Sequence, residues 1–293
     1  MTRLAPPPIP NAGLPEPDAE QAAARTWFEA LRTRICDAFE AIEAEAGSDA
    51  HVGFTPWNRR EADGSPGGGG TRGVLKGAVF EKAGVNVSTV AGRFAPDFAA
   101  SIRGAGDDPG FFASGISLVA HMANPHAPAV HMNCRYLRTT TSWFGGGADL
   151  NPPLPNDEDT TDFHASLRAA CEAHASGDYP RFAEWADRYF HLPHRDTARG
   201  VGGIFFDHLD HDFDDDFAFV RAVGEAFLDV FPRLVRRRMS QPFTAADRRA
   251  QLRWRGRYAE FNLLHDRGTL FGLKTGGDVD AILMSLPPLA AWD

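Results

Sequence analysis

Residues 129–138 constrain the fold most, because the two alternating sets of side chains in this stretch differ in kind. Side chains of a strand point to opposite faces with period two. His131, Asn133 and Arg135 therefore share one face, while Val130, Met132, Cys134 and Tyr136 take the other. An apolar row backed by imidazole, amide and guanidinium describes a half-buried strand. Antiparallel sheets accommodate such strands, whereas parallel sheets covered on both faces do not. In the candidate strand 115–122, Ser117 and His121 also share a face. If these strands are neighbours, Ser117, His121, His131, Asn133 and Arg135 converge on one floor. Solvated faces usually carry Lys, Glu and Thr instead, so a ligand surface is the better reading.

The rest of the chain agrees with a sheet of this type. A helix is expected to start at Asp18, an N-cap after Pro17, with Trp27, Leu31, Ile35, Phe39 and Ile42 on its buried face and Gly47 as its stop. Further strands are expected at 74–82, 85–91 and 142–146, then at 201–207, 257–265 and 280–286. Helical patterns occupy 157–176, 179–192 and 213–239. Strands, then helices, then strands, without steady βαβ alternation, predict an α+β fold with a mostly antiparallel sheet. Residues 1–17 read as a Pro-rich flexible tail, and 18–293 as one domain. Four glycines at 67–70 predict a flexible loop within 61–73 and a candidate lid. No Gly-Lys-Ser/Thr follows them, so they form no P-loop.

Other polar groups gather near glycines. Asp149 follows three glycines in WFGGGADLN and projects toward the same cleft, or bonds its own backbone in a turn. His194, Arg195 and Arg199 lie between a helix and a Gly-rich strand start. Tyr258, Glu260 and Asn262 are expected on one strand face, with Glu260 solvated, and Gly276 and Gly277 permit close backbone approach. His121, His131, His164 and His194 are scattered, with no HExxH or Cys/His cluster, so spacing alone gives a metal site little support. The formal charge of −9 opposes binding of nucleic acid or anionic membranes, and an anionic ligand needs a local arginine cluster. Three widely spaced cysteines, with Cys134 read as a small buried residue, point to a reducing, cytoplasmic setting. No apolar run approaches the ~20 residues of a membrane span.

Together, GVNVSTVAG, GISLVAHMANPHAPAVHMNCR, WFGGGADLNP, HRDTARGVGGIFFD, GRYAEFNLLHDRGTLFGL and ILMSLPP resemble the oxygen-dependent coproporphyrinogen III oxidase family, in its order, over about residues 25–292. The resemblance implies a large, flat antiparallel sheet sandwiched between helices, in a homodimer. It implies oxidative decarboxylation of coproporphyrinogen III to protoporphyrinogen IX, with O2 as co-substrate and no organic cofactor. Ser117, Asn133, Cys134 and Arg135, and the segment Gly276, Gly277 and Asp278, match substrate-binding positions. His131 matches the proton donor, and Asp149, Arg135 and Arg199 match catalytic positions. His121, His131, His164 and His194 match the divalent-cation ligands of bacterial members. Some members carry Arg where this chain has Asp278, which would repel a carboxylate. The oxygen-independent enzyme class needs a CxxxCxxC iron–sulfur motif that is absent here. A metal-dependent oxygenase and a non-catalytic tetrapyrrole carrier are the rival readings.

Overall fold

The computed structural model describes residues 5–274 and 277–293. It opens with helix α1 (Ala19–Glu45) and strands β1 (Gly53–Arg60), β2 (Pro66–Leu75) and β3 (Phe80–Arg93). A short helix α2 (Pro96–Ala99) leads to β4 (Gly110–Met122), β5 (Ala129–Arg138) and β6 (Ser142–Asn151). Helices α3 (Asp157–Glu172) and α4 (Tyr179–Tyr189), the small strands β7 (His191–Leu192) and β8 (Thr197–Ala198), and β9 (Gly203–Leu209) follow. The chain ends with helices α5 (Phe213–Arg238), α6 (Ala245–Leu264), α7 (Arg267–Lys274) and α8 (Val279–Ile282), then a 3-10 turn at Leu283–Ser285. Among the described residues, no helix is long and apolar enough to cross a membrane.

Seven strands form one antiparallel sheet in the order β1-β2-β3-β4-β5-β6-β9. Val85, Leu118, Met132, Ala148 and Ile204 form one register row, and all are buried. The face they belong to packs against α1 and α5. Ala24, Phe28, Leu31, Ile35, Phe39 and Ile42 recur at helical spacing on α1 and are buried. Phe39 stacks on Phe80 at 4.5 Å between centroids and meets Phe231 of α5 at 5.9 Å. Asp18 and Gln21 close a capping box at the start of α1. On the opposite face, α6 and the 3-10 turn cover part of the sheet, leaving Ser117, Asn133 and Arg135 half-exposed. The fold is therefore α+β, with helices on both sides of a large antiparallel sheet, as expected.

Four expectations need correction. Residues 257–264 are helical, and His265 is the C-cap. The buried positions Gln251, Arg255, Tyr258 and Asn262 repeat every three or four residues, and a Thr244–Asp247 capping box starts the helix. Residues 280–286 form α8 and the 3-10 turn, because the Asp278 carboxylate caps the Ala281 N–H at 2.8 Å. The expected strand 74–82 straddles the end of β2 and the start of β3, with a turn between them. Finally, the glycines at 67–70 lie inside β2 rather than in a loop or lid. Gly68, at φ +84°, donates its N–H to Ala12, and a Cβ on Gly70 would fall 2.4 Å from the Trp57 ring. The run is needed for close approach, not for looseness. Ala12, Gly13 and Leu14 lie against this strand, and Ile9 is buried in the core.

Glu43 controls the turn between β2 and β3. Its buried carboxylate accepts from the backbone N–H groups of Ala78, Val79 and Phe80 at 2.7–3.0 Å. Removing it strands three donors at the start of β3. Glu43→Ala should cost about 3–5 kcal/mol in urea unfolding. A loss under about 1 kcal/mol would show that this carboxylate does not organise the turn.

Candidate functional site

Register determines which polar side chains meet. Thr55, Arg72, Asn86, Ser117, Asn133, Gly147 and Phe205 form one unbroken row across all seven strands. Two residues along, Gly84, Val119, His131 and Asp149 form a parallel row. Two residues the other way lie Trp57, Gly70, Ser88, Gly115, Arg135 and Gly145. All three rows occupy the face opposite the α1/α5 core. Of the five residues expected to converge, Ser117, His131, Asn133 and Arg135 share this open floor, whereas His121 is buried against Tyr258 and the Ser285 carbonyl.

Asp149 and Arg199 are the innermost charges, 1% and 2% exposed. Arg199 Nη2 lies 2.7 and 2.8 Å from the two carboxylate oxygens, and its Nε lies 3.1 Å from Oδ2. Its Nη1 donates to Asn262 Oδ1 at 3.3 Å. The rings of Phe190, Tyr258 and Phe261 lie 4.3–4.7 Å from the guanidinium carbon. Asn151 Nδ2 gives Asp149 Oδ2 another donor at 2.9 Å. Burial pushes the Asp149 carboxyl up, but Arg199 and then His131 outweigh it and hold it down at about 2. Burial likewise disfavours the Arg199 charge, and Asp149 reverses that, so its pKa is raised.

The network continues outward along β5. His131 Nδ1 lies 2.8 Å from Asp149 Oδ1, and its Nε2 lies 3.2 Å from Asn133 Nδ2. A carboxylate only accepts and an amide nitrogen only donates, so the partners assign a neutral ring with the proton on Nδ1. Asn133 Oδ1 accepts from Arg135 Nη1 at 3.0 Å, and Arg135 Nη2 pairs with Asp207 at 2.8 Å. This ion pair lies over Gly145, where a Cβ would come 2.5 Å from Asp207 Oδ1 and 2.7 Å from Arg135 Nη2. Charge and hydrogen bonds thus run continuously from Arg199 through Asp149, His131, Asn133 and Arg135 to Asp207.

Other expected residues sit elsewhere. The Cys134 side chain belongs to the core face, in contact with Met132, and burial pushes its thiol up to about 12. It cannot line the cleft, because its neighbours Asn133 and Arg135 already take the polar face. Gly276 lies outside the described residues, while Gly277 packs against Gly272 and Ile282. Glu260 is not solvated. It binds Arg195, His194 and Trp292, and Arg195 leads in lowering its pKa to about 2. Arg72, Asn86 and Asp207 are not among the residues expected from the sequence, and Asn262 reaches Arg199 from a helix rather than from the expected strand. The even positions of β2 and β3 held the only signal for Arg72 and Asn86.

The four histidines do not fit a common metal site. His121 Nε2 lies 2.9 Å from the Ser285 carbonyl, and burial lowers its pKa to about 3. His164 Nε2 donates to Val201 O at 2.9 Å, and its Nδ1 accepts from Tyr179 at 2.7 Å. His194 is bound by Glu260 and His265. Among the described residues, no group of three or more His, Cys, Asp or Glu side chains could hold an ion.

Two outcomes test the buried pair. Asp149→Asn leaves Arg199 without its counter-charge and should cost about 3–5 kcal/mol in urea unfolding. A folded pKa near 2 is below the ordinary ~3.9, so Asp149 contributes its stability fully above about pH 4. That contribution falls away as pH drops toward 2. Melting points measured from pH 6 to pH 2 should converge between wild type and Asp149→Asn at the acid end. A constant gap would contradict the pairing.

The model of the family described as coproporphyrinogen III oxidase matches residues 23–293. A Rickettsia bellii protein named oxygen-dependent coproporphyrinogen-III oxidase is 50% identical over 268 residues, covering 91% of this chain and 96% of its own. The Rickettsia conorii protein of that name is 50% identical over 264 residues, covering 90% and 95%.

Proposed function

The chain belongs to the coproporphyrinogen III oxidase family, and we propose that it is an oxygen-dependent oxidoreductase of haem biosynthesis that converts coproporphyrinogen III to protoporphyrinogen IX. The observation that carries the reading down to residues is the bonded chain from Arg199 to Arg135 along one sheet face. A greasy ring bearing four carboxylates needs a broad floor, a cation and an acid–base group. This face supplies all three.

In each half-reaction a propionate becomes a vinyl group. One C–H bond breaks at the propionate β-carbon and the carboxylate departs as carbon dioxide. The two electrons go to O2, which takes up that hydrogen and one proton to become H2O2. The porphyrinogen supplies the electrons, so the balance requires no flavin, haem or nicotinamide.

His131 is the acid–base group in this reading. Its Nε2 accepts a single 3.2 Å contact from Asn133 Nδ2; once substrate displaces that contact, Nε2 takes a pyrrole N–H proton, raising the ring's electron density toward oxygen, and later returns the proton. Asp149 keeps Nδ1 protonated and stabilises the imidazolium that forms. A direct role for Asp149 as base fits less well, since its oxygens already accept from Arg199, His131 and Asn151. Arg199 is occupied by Asp149, which leaves Arg135 as the propionate anchor. Ser117 and Asn133 flank the ring. A cytoplasmic homodimer completes the reading, and the exposed Leu263, Leu264, Leu289 and Trp292 support a self-contact near the C-terminus.

Oxygen uptake with coproporphyrinogen III, using chelator-treated protein under air, tests the activity. Uptake with vinyl-bearing product is expected. Substrate binding without uptake would favour a carrier, and uptake only after adding a divalent cation would return the histidines to a metal role. His131→Ala should reduce turnover by ~10²–10⁴-fold, and Arg135→Ala should act mainly through substrate positioning. Wild-type efficiency in either variant would remove that residue from the mechanism.

A further inference from the structure

We infer that Arg72 is a second carboxylate anchor of the site, opposite Arg135, and that Asp278 and Asp280 hold its guanidinium until a substrate propionate displaces it. The inference rests on the coproporphyrinogen reading and names a specificity residue for it. Arg72 stands in the same cross-strand row as Asn86, Ser117 and Asn133, on the same face. Strands lie about 4.8 Å apart and residues about 3.3 Å apart along a strand, so three strand intervals and a two-residue offset place the Arg72 and Arg135 backbones about 16 Å apart across the floor. That separation matches carboxylates at opposite edges of a tetrapyrrole rather than one shared carboxylate.

The other cations near this floor are already committed. Arg199 donates to Asp149 and Asn262 and is 2% exposed. Lys82 donates to the Leu286 carbonyl at 2.8 Å. Arg72 is different: its Nη1 lies 3.1 Å from Asp280 and 3.8 Å from Asp278, and its side chain is 22% exposed. Asp280 is 74% exposed, so water can solvate it after release. Loose pairs of this type contribute little, whereas a forked guanidinium–carboxylate contact in a closed cleft is stronger. Asp278 stays in place as the cap of α8. It would repel a propionate unless a cation stood beside it, and Arg72 is that cation. Substrate binding therefore exchanges one carboxylate partner of Arg72 for another.

The test compares wild type with Arg72→Gln, Arg72→Lys and Asp280→Asn. Binding of the stable oxidised ring, coproporphyrin III, is measured by fluorescence titration beside initial rates with coproporphyrinogen III. Arg72→Gln should weaken binding and raise KM by about tenfold or more, and lysine should restore part of the loss. Asp280→Asn should tighten binding by about two- to fivefold, a gain that a merely structural arginine would not produce. Unchanged affinity in both Arg72→Gln and Asp280→Asn would overturn the inference. The titration needs no turnover, so an inactive wild type that binds the porphyrin would refute the enzymatic reading and leave this one standing.

Discussion

The buried contact between Asp149 and Arg199 is the constraint on which the site depends. Two charges at 1% and 2% exposure are costly to bury, and the geometry offsets that cost in several ways. The guanidinium contacts both carboxylate oxygens, Asn262 and Asn151 complete the bonding, and three aromatic rings surround the cation. The carboxylate remains an anion at any physiological pH. A permanent anion beside His131 Nδ1 selects one tautomer and leaves Nε2 as the acceptor, bonded to Asn133 Nδ2. Arg199 therefore acts on the imidazole through Asp149, although it never touches it.

Antiparallel register carries this arrangement across the sheet. A one-residue slip of β5 would send His131, Asn133 and Arg135 into the apolar core and bring Cys134 and Tyr136 out. The dense packing of the opposite face, from Val85 through Ile204, forbids that slip. Core packing on one side thus positions polar groups on the other. Glycines contribute by allowing side chains to lie flat, as Trp57 does over Gly70 and the Arg135–Asp207 pair does over Gly145.

Much of this was legible from period-two alternation, because β5 is half-buried and its two faces differ sharply in chemistry. The failures have physical causes. Tyr258, Glu260 and Asn262 fit alternation as well as helical spacing in a short window, and only the capping box upstream separates the two. The run at 67–70 looked like a loop because glycine weakens strands, but partners from β1 and β3 impose the strand from outside. Arg72 was invisible because it follows that run. His121, His131, His164 and His194 illustrate the limit of residue type: each imidazole has protein partners of its own, which no spacing reveals.

The balance of charge also distinguishes structural from ligand-directed arginines. The chain carries −9 overall, so a polyanionic substrate approaches against the net field. Most arginines here are paired, and pairing alone does not identify a role. What separates them is how much a partner would lose on release. Arg199 cannot leave Asp149 without stranding a buried charge, so it belongs to the framework. Arg135 meets Asp207 on a half-exposed face, and Arg72 meets Asp280 near solvent, so either can change partners at little cost. The floor thus combines an immovable ion pair on the β6 side with cations on β5 and β2 that can change partners.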